Sequence, residues 1–236
     1  SVIELSRMLG VSDQTIRRVS QSLVESGNLS KVHGALVSNR TATDPPFLAR
    51  MNLNRDAKVA IAKLTADIIP DDASVAIDTG STSGFIAQAL RTKQRLTVVT
   101  NSAFVASTLA IIPGNKVSMA GTQLRDHDGA AFDRSAFDVI EHMQVDYVVL
   151  SASMVDAERG FLVHEKCEVD IANAMLKNAA QAIMAVDQSK FIPQDRRPAL
   201  RQPALKNGDI IVTDSNPESK FDTLLQGISV VIPRSN

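Results

Sequence analysis

The stretch Ser-Val-Ala-Ile-Asp-Thr-Gly-Ser-Thr-Ser, residues 74–83, passes from a short apolar run through a glycine into a series of hydroxyl side chains. Ser74–Ile77 has the length and apolar character of a buried strand, and apolar residues with helical spacing follow over 85–90. Gly80 permits a tight turn between the two, and the first amides of a helix are unpaired donors that favour a negative group. The stretch therefore predicts a strand, a phosphate-binding loop and a helix.

Short apolar, β-branched runs recur along the rest of the chain, and helical patterns separate most of them. The further runs are Leu96–Thr100, Val117–Ala120, Tyr147–Ala152, Ala182–Val186, Ile210–Thr213 and Ile228–Ile232. Strands that alternate with helices form parallel sheets. The pattern predicts an α/β fold in which a largely parallel sheet is covered by helices on both faces.

Polar side chains follow several of these strands, and the carboxyl ends of parallel strands meet at one edge of a sheet. Lys190 and Arg125 are suited to neutralise a phosphate, while Asn101 and Ser153 are suited to orient hydroxyls. Asp78 is suited to accept hydrogen bonds from sugar hydroxyls. The candidate ligand-binding residues are Asp78, Thr79, Gly80, Ser81, Thr82, Ser83, Asn101, Ser102, Gly121, Arg125, Ser153 and Lys190. The alternative is that the hydroxyl residues after Gly80 only cap the helix.

The first 40 residues have the pattern of two short helices followed by a small hairpin. Apolar residues are spaced as on one face of a helix over 2–9, and Gly10 ends that helix. A second helix begins after the cap residue Ser12 and runs to about Glu25, and two short strands flank the turn at 33–34. The short connection between the helices is that of a helix-turn-helix, with the hairpin as a wing.

The second helix separates apolar from polar side chains. Ile16, Val19 and Leu23 are expected to pack inward, and the opposite face carries two arginines and two glutamines. Arginine can contact guanine, and glutamine can contact adenine, in the major groove. The candidate DNA-binding residues are Ser12, Gln14, Thr15, Arg17, Arg18, Gln21, Lys31 and His33. The alternatives are a solvated helix face and, for His33, a turn residue.

Composition is that of an ordinary globular protein, with 44% hydrophobic and 22% charged residues. Residues 1–40 carry five basic and three acidic side chains, a balance of +2, which leaves −3 for the remainder of the chain. A basic first segment suits DNA binding by that segment alone. No apolar run is long enough to span a bilayer, and the single cysteine, Cys167, allows no intrachain disulfide, which favours the cytoplasm.

The first segment resembles the winged helix-turn-helix of the DeoR family of bacterial transcriptional repressors. The resemblance rests on Ser1–Leu5, Gly10–Ser12, Thr15–Arg18 and Val32–Ala35. Where this chain has Val19, the family usually has an aspartate. The first helix of the family's domain would precede Ser1, so the given chain is expected to be incomplete at its N-terminus.

The remainder resembles the DeoR sensor domain, and with it the ribose-5-phosphate isomerase and glucosamine-6-phosphate isomerase superfamily. The matching stretches are Asp78–Thr82, Leu96–Ser102, Gly121, Leu124-Arg125, Glu158–Gly160 and Asp187–Phe191. The resemblance implies a repressor of a carbohydrate catabolic operon whose operator affinity is controlled by a phosphorylated sugar. The periodicity lapses from Ser38 to about Asn54, and Asp44-Pro45-Pro46 favours extended structure there. The chain is therefore predicted to have a DNA-binding domain over 1–38, a linker over 39–54 and an effector-binding domain over 55–236.

Two further classes of protein compete with this interpretation. One is a sugar-phosphate isomerase with a DNA-binding appendage, for which Asp78, Glu165 and Lys190 are conceivable parts; the spacing shows no tight acid–base pair. His164, Glu165 and Glu168 are also candidates to line the pocket, although a solvated helix start is the favoured interpretation. The other class is a pure interaction module, which leaves the polar strand ends unexplained. No cofactor or metal is expected; the chain lacks both GxGxxG and GxxxxGK[ST], so nucleotide-dependent chemistry has no supporting motif. No membrane partner is expected, since no apolar run is long enough to span a bilayer. Operator DNA and a homodimer or homotetramer are expected.

Overall fold

The computed structural model describes residues 2–25, 29–32, 35–38, 46–192 and 200–234. The chain divides into two compact units, Ser1–Pro45 and Pro46–Asn236, each described separately below. Within the described ranges, no helix is both long and apolar enough to cross a bilayer.

The N-terminal unit contains two helices followed by a hairpin. Its elements are α1 (Val2–Leu9), α2 (Asp13–Glu25), β1 (Leu29–Val32) and β2 (Ala35–Ser38). Gly10 has a φ of +64°, the left-handed conformation that closes a helix at little cost for glycine. Ser12 caps α2, because its Oγ accepts the N–H of Thr15 at 3.2 Å. β1 and β2 pair antiparallel, with Val32 opposite Ala35.

One expectation for α2 is wrong. Val19 was expected to pack inward, yet its side chain is 55% exposed, and Ser20 is buried instead. Ser20 satisfies its hydroxyl within the helix by donating to the carbonyl of Arg17 at 3.2 Å. The spacing of apolar residues alone therefore predicts the wrong buried residue at this turn of α2, Val19 instead of Ser20. Ile16 is buried as expected.

The C-terminal unit is an α/β domain. Its helices are α3 (Phe47–Asn52), α4 (Arg55–Ile68), α5 (Ser81–Leu90), α6 (Ala103–Ala110), α7 (Arg134–Ile140) and α8 (Lys166–Lys177). Its strands are β3 (Ser74–Ile77), β4 (Thr97–Thr100), β5 (Lys116–Met119), β6 (Val145–Leu150), β7 (Met154–Asp156), β8 (Gly160–Val163), β9 (Ala179–Ala185), β10 (Leu200–Arg201), β11 (Ile210–Val212) and β12 (Ser229–Val231). Single turns of 3₁₀ helix cover Gln188–Phe191 and Ser219–Phe221.

Seven strands form the main sheet, in the order β12-β11-β9-β6-β3-β4-β5, and every neighbouring pair is parallel. β3 is the first strand of this sheet along the chain, and β4 and β5 follow on one side of it. β6 lies on the other side of β3, and β9, β11 and β12 continue outward from β6. The topological switch point of the sheet therefore lies between β3 and β6. Ligands of open α/β sheets bind at such a point, outside the carboxyl ends of the strands.

Two hydrophobic clusters cover the two faces of this sheet, which confirms the predicted fold class. Successive strand residues alternate between the clusters, as the period of two requires: Val75 and Ile77 belong to one, and Ala76 belongs to the other. The cluster around Val75 includes residues of α4, α5 and α6, and the cluster around Ala76 includes residues of α7 and α8. Both faces of the sheet are thus buried under helices.

A second, antiparallel sheet of three short strands, β10-β8-β7, was not predicted. Each strand has only two to four residues, too few for a periodicity to show. Gly160, which follows the turn between β7 and β8, has a φ of +81°. Gln202 joins this sheet to the main one, because its Nε2 donates to the carbonyl of Ser151 at 2.9 Å.

Part of the predicted linker is helical. α3 falls within 39–54, and its first residue, Phe47, is buried against Phe104 of α6 with ring centroids 5.1 Å apart. Lys58 of α4 is also buried, and its Nζ donates to the carbonyls of Arg50 and Leu53 at 2.6 and 2.7 Å. The aromatic contact and the buried ammonium group hold this segment against the C-terminal unit. The prolines at positions 45 and 46, which predict an extended linker, give no sign of these contacts.

Candidate functional site

Asp78 occupies the switch point and ties three elements together. It follows β3 directly, and its Oδ2 accepts the backbone N–H of Ser151 at 2.8 Å and the Ser151 hydroxyl at 3.2 Å. Its Oδ1 accepts the hydroxyl of Ser83 in the first turn of α5. Ser151 follows β6, so one buried carboxyl group connects the ends of two neighbouring strands with a helix start. Both carboxyl oxygens of Asp78 therefore already accept hydrogen bonds from the protein. The predicted hydrogen bond between Asp78 and a sugar hydroxyl stays a prediction.

Burial raises the pKa of Asp78 to about 7, and the hydrogen bonds from Ser83 and Ser151 only partly oppose this effect. The charge of Glu168 acts in the same direction as burial. The side chain therefore carries a proton in the folded state over a pH range in which the carboxyl group of an unfolded chain, with a pKa of about 3.9, is already ionised.

This difference predicts a specific pH dependence of stability. Between about pH 4 and pH 7 the folded state binds one proton more than the unfolded state, so stability falls as the pH rises. We expect wild type to lose roughly 2–3 kcal/mol more than Asp78→Asn between pH 5 and pH 7, measured by urea unfolding. The same change at Asp67, which is exposed on α4, serves as control. Parallel profiles for wild type and Asp78→Asn would show that Asp78 is ionised in the folded protein.

Gly80 makes the turn from β3 into α5. Its φ of +149° and ψ of 160° belong to a region that only glycine occupies readily. A Cβ at this position would also lie 2.8 Å from the Oγ of Ser151. The backbone thus passes close to the end of β6, and any side chain here would force the loop and the strand end apart.

The N-terminus of α5 has no side-chain cap. Gly80 is the N-cap residue, and no side chain bonds to the free amides of the first turn. Ser83 donates instead to Asp78. The hydroxyls of Ser81 and Thr82 make no hydrogen bond within the described ranges, although both residues are buried. The capping alternative is therefore not what the structure has, and the unpaired amides and hydroxyls together match the needs of a phosphate group.

The residues after β4 support a long loop. Asn101 is fully buried and donates its Nδ2 to the carbonyl of Ala131 at 3.1 Å, and the N–H of Ala131 donates to the carbonyl of Asn101 at 2.8 Å. Ser102, another candidate, caps α6 by accepting the N–H of Val105. The segment 121–133 is thereby held across the end of β4.

Gly121 and Asp133 close the two ends of this loop. A Cβ on Gly121, whose φ is +96°, would lie 2.3 Å from the Cβ of Ala131, so only glycine allows this approach. Asp133 accepts the hydroxyl of Ser135 and the backbone N–H groups of Gln123 and Thr122, and these bonds hold its pKa well below the usual range. Gly121 thus has a structural role in the loop.

Arg125, a candidate phosphate ligand, lies among carboxylates. Its Nε is 3.1 Å from an oxygen of Asp128, its Nη1 is 2.9 Å from Glu165, and its Nη2 is 3.7 Å from Glu168. The guanidinium also stacks on Phe132, 4.1 Å from the ring centroid. The structure thus surrounds the one positive charge of Arg125 with three negative charges.

The end of β9 places Lys190 and a further carboxyl group at the same edge. Asp187 accepts the N–H of Ser189 at 3.0 Å and the Nδ2 of Asn54 at 3.2 Å, while its Oδ2 is buried without a partner among the described residues. Lys190 follows on the 3₁₀ turn and forms no ion pair with any described residue. Ser153, the remaining candidate, is buried beyond β6. Lys190 is therefore a cation at this edge that no described carboxylate neutralises.

Several buried polar atoms after the strands have no hydrogen-bond partner among the described residues. These atoms are Thr79 Oγ1, Asn101 Oδ1, Asp187 Oδ2, Gln202 Oε1 and Thr213 Oγ1. Buried polar atoms in folded proteins nearly always have a partner, so a group of exceptions at one sheet edge calls for an explanation. Each of these atoms can accept a hydrogen bond.

The N-terminal unit exposes most of the side chains proposed to contact DNA. The exposed residues are Ser12, Gln14, Arg17, Arg18 and Gln21, and Thr15 is half-buried. Lys31 lies on β1, where only the backbone is described, and His33 lies outside the described residues. The arginines and glutamines of α2 thus form one accessible polar surface.

Sequence reasoning missed the residues that support the site. Asn54 was assigned to the linker, although it reaches Asp187 from 133 positions away, and Asp128 and Gln202 had no role. Glu165 and Glu168 were interpreted as a solvated helix start, yet they form a reciprocal capping box and face Arg125. The spacing of Glu165 and Glu168 was the available signal for the capping box.

Comparisons with known proteins agree with this division into two units. The family model described as the DeoR-like helix-turn-helix domain matches residues 1–42, and the model described as the DeoR C terminal sensor domain matches residues 53–215. The chain is 30% identical over 217 residues to the glycerol-3-phosphate regulon repressor of Escherichia coli (strain K12), covering 92% of this chain and 85% of that protein. It is 26% identical over 238 residues to the HTH-type transcriptional repressor CsqR of the same organism, covering 100% and 90%.

Among solved structures, part of the chain is similar to ribose 5-phosphate isomerase A from Methanocaldococcus jannaschii. The sequence identity is 17% and the TM-score is 0.43, and the match covers 59% of this chain and 55% of that chain.

Proposed function

This chain belongs to the DeoR family of DNA-binding transcriptional regulators, and we propose that it represses a carbohydrate catabolic operon under the control of a phosphorylated sugar. The helix-turn-helix unit binds operator DNA through α2. The sugar phosphate binds the C-terminal unit at the carboxyl ends of the parallel strands, and its binding changes the affinity for the operator. Relatives named as repressors of the glycerol-3-phosphate regulon and of the aga operon support the carbohydrate assignment.

One observation carries the effector proposal, namely the uncapped N-terminus of α5 at the switch point of the sheet. Its free amides and the hydroxyls of Ser81 and Thr82 are donors suited to phosphate oxygens, and the helix dipole favours their negative charge. Asp78 and Gly80 hold the loop in this geometry. Lys190 supplies a positive charge at the same edge.

We propose that the C-terminal unit is a sensor without enzymatic activity. The pKa of Asp78, about 7, suits a general base, and this is the observation that favours an isomerase. Against it, both oxygens of Asp78 accept bonds from Ser83 and Ser151, so the group is engaged in holding the loop. Arg125 is surrounded by carboxylates and is poorly placed to polarise a substrate carbonyl.

The assembly and location follow from the same proposal. A helix-turn-helix contacts one half-site, and operators pair two half-sites about one helical turn apart. A homodimer or homotetramer is therefore the form we propose to bind DNA, in the cytoplasm where the operator lies.

A panel of phosphorylated and unphosphorylated sugars tests the proposed function. At least one pentose, hexose or triose phosphate should raise the melting temperature of the full chain in a concentration-dependent way, because a ligand of the native state stabilises it by mass action. The matching free sugar should have no effect. The same mixtures should show no aldose–ketose conversion. Stabilisation by none of the phosphates would contradict the sensor proposal, and conversion at about 1 per second or faster would identify an enzyme.

A further inference from the structure

A short segment at the beginning of the C-terminal unit contacts three parts of the candidate site. The unit begins at Pro46, and α3 begins at the next residue, Phe47. We call residues 47–54, which comprise α3 and the two residues between it and α4, the entry segment. The chain that leaves the helix-turn-helix unit reaches the parallel sheet only through this segment. A change in the position of the entry segment is therefore passed along the chain toward the DNA-binding unit.

The start of the entry segment packs against α5 and against the loop over 121–133. The Phe47 ring lies close to α5 at Gly84, where an added Cβ would be 3.3 Å from that ring and 3.1 Å from the ring of Phe104. Gly84 is the fourth residue of α5, one turn beyond its free amides. The backbone N–H of Phe47 also donates to the carbonyl of His127, in the loop, at 3.0 Å. Two elements of the candidate site thus contact the same residue.

The end of the entry segment is bonded to a third element, the turn after β9. The Nδ2 of Asn54 donates to Asp187 Oδ1 at 3.2 Å and to the Ser189 hydroxyl at 2.9 Å. Asp187 also accepts the backbone N–H of Ser189 with its side chain and the backbone N–H of Lys190 with its carbonyl. Asn54 is therefore bonded directly to the turn that carries Lys190.

The conformation of Asn54 favours these bonds over an ordinary helix cap. Asn54 is the N-cap residue of α4, a position that asparagine prefers because its side chain can accept an amide of the first turn, yet no side chain makes that bond here. The residue has a φ of +50° and a ψ of 41°, a left-handed conformation that asparagine tolerates. The buried Nζ of Lys58 fixes the preceding backbone by donating to the carbonyls of Arg50 and Leu53. The amide of Asn54 is thus held where it reaches Asp187.

We propose that the entry segment transmits effector binding to the DNA-binding unit, and that Asn54 is the positioning residue that makes the segment follow the turn over 187–190. The inference rests on the proposed function, since it assumes that a phosphate binds at the start of α5. A phosphate there attracts Lys190 and so acts on the turn to which Asn54 is bonded. It also orders the first turn of α5, next to which Phe47 packs. Both ends of the entry segment therefore respond to the same ligand.

Amide hydrogen exchange of the full chain tests this transmission without DNA. Glycerol 3-phosphate, ribose 5-phosphate and glucose 6-phosphate are added in turn, and exchange is followed in peptides that cover 47–54 and 81–90. In wild type, a phosphate that slows exchange over 81–90 should also slow it about threefold or more over 47–54, because ligand binding stabilises both against local opening. Slowing over 81–90 alone would overturn the proposal. No slowing by any of the three compounds would overturn the proposed function with it.

Two variants of Asn54 test the residue itself. Asn54→Asp keeps the size of the side chain and tolerates the left-handed backbone, but it has no proton to donate to Asp187 at neutral pH. Asn54→Gly removes the side chain and adopts the same backbone at no steric cost. In both variants the phosphate should still slow exchange over 81–90, whereas exchange over 47–54 should no longer respond. A response that persists over 47–54 would contradict the role of Asn54, and loss of slowing in both peptides would make Asn54 part of the ligand site instead.

Operator binding supplies a readout that a merely structural role would not move. The phosphate that slows exchange should change the operator dissociation constant about fivefold or more in wild type, and less than about twofold in Asn54→Asp. Asn52→Asp is the matched control, because Asn52 is exposed on α3 and its amide donates to the carbonyl of Leu48 within the same helix. It should respond as wild type does. A general loss of stability would weaken operator binding by the same factor with and without the phosphate, so an unchanged ratio in Asn54→Asp overturns the proposal.

Discussion

Alanine in place of Arg17 or Arg18 weakens operator binding by the full-length protein, by roughly 1–3 kcal/mol where the lost contact is to a base. Both arginines are exposed on α2, on the same polar surface as Gln14 and Gln21. A base contact is specific, so its loss should relax the preference at one operator position. A phosphate contact carries no sequence information, so its loss should weaken binding to all sequences alike and reduce the salt slope by about one.

Arg91→Ala provides the control for this experiment. Arg91 is exposed at the end of α5 in the C-terminal unit, and its replacement changes the net charge by the same amount. Operator affinity is measured by fluorescence anisotropy over a range of salt concentrations, with a scrambled duplex beside the operator. Affinity that is unchanged in both Arg17→Ala and Arg18→Ala would mean that α2 is not the DNA-contacting helix.

Local sequence signals were sufficient for much of the fold. The glycine at position 10 and the hydroxyl of Ser12 mark a helix end and a helix start, and both act through backbone groups within three residues. The parallel sheet was predictable for a similar reason, because strands buried on both faces are continuous apolar runs. The turn at Gly80 was also predictable from local sequence, since a strand must turn sharply to enter a helix and glycine permits such a turn.

The parts that could not be predicted depend on pairs of residues far apart in the chain. Asn54 bonds to Asp187 across 133 positions, and Arg125 meets Glu165 across 40. A single sequence reveals that Arg125 is positive, but the carboxylates around it depend on where α8 begins in space. The carboxylates around Arg125 could therefore not be predicted, whereas the strand–turn–helix geometry of residues 74–90, formed by consecutive residues, was predictable.

Thr82→Asp should abolish the response to effector while the protein stays folded. Thr82 is a buried residue in the first turn of α5, and its hydroxyl has no hydrogen bond within the described ranges; this is where we propose that the phosphate binds. An aspartate places a negative charge there, and repulsion of a phosphate at short range in a partly dry site should weaken binding about 100-fold or more. The helix dipole favours a carboxylate at this position, which limits the cost to folding.

A matched variant separates a charge in the loop from a charge on the same helix. Thr92→Asp introduces the same side chain at an exposed position beyond the other end of α5. Both variants should melt as single transitions near the wild-type temperature without ligand. Only Thr82→Asp should lose stabilisation by a sugar phosphate. Loss in both would point to net charge as the cause.

The most direct test of the account is the operator dissociation constant of full-length protein with and without the sugar phosphate that stabilises it. A ligand shifts the equilibrium between two states only through its different affinities for them, so effector binding and operator binding must change each other by the same factor. We expect the sugar phosphate to change operator affinity about fivefold or more in wild type and in Thr92→Asp, and to have no effect in Thr82→Asp. A wild-type response that persists in Thr82→Asp at the same ligand concentration would show that the loop at residues 78–83 does not hold the effector.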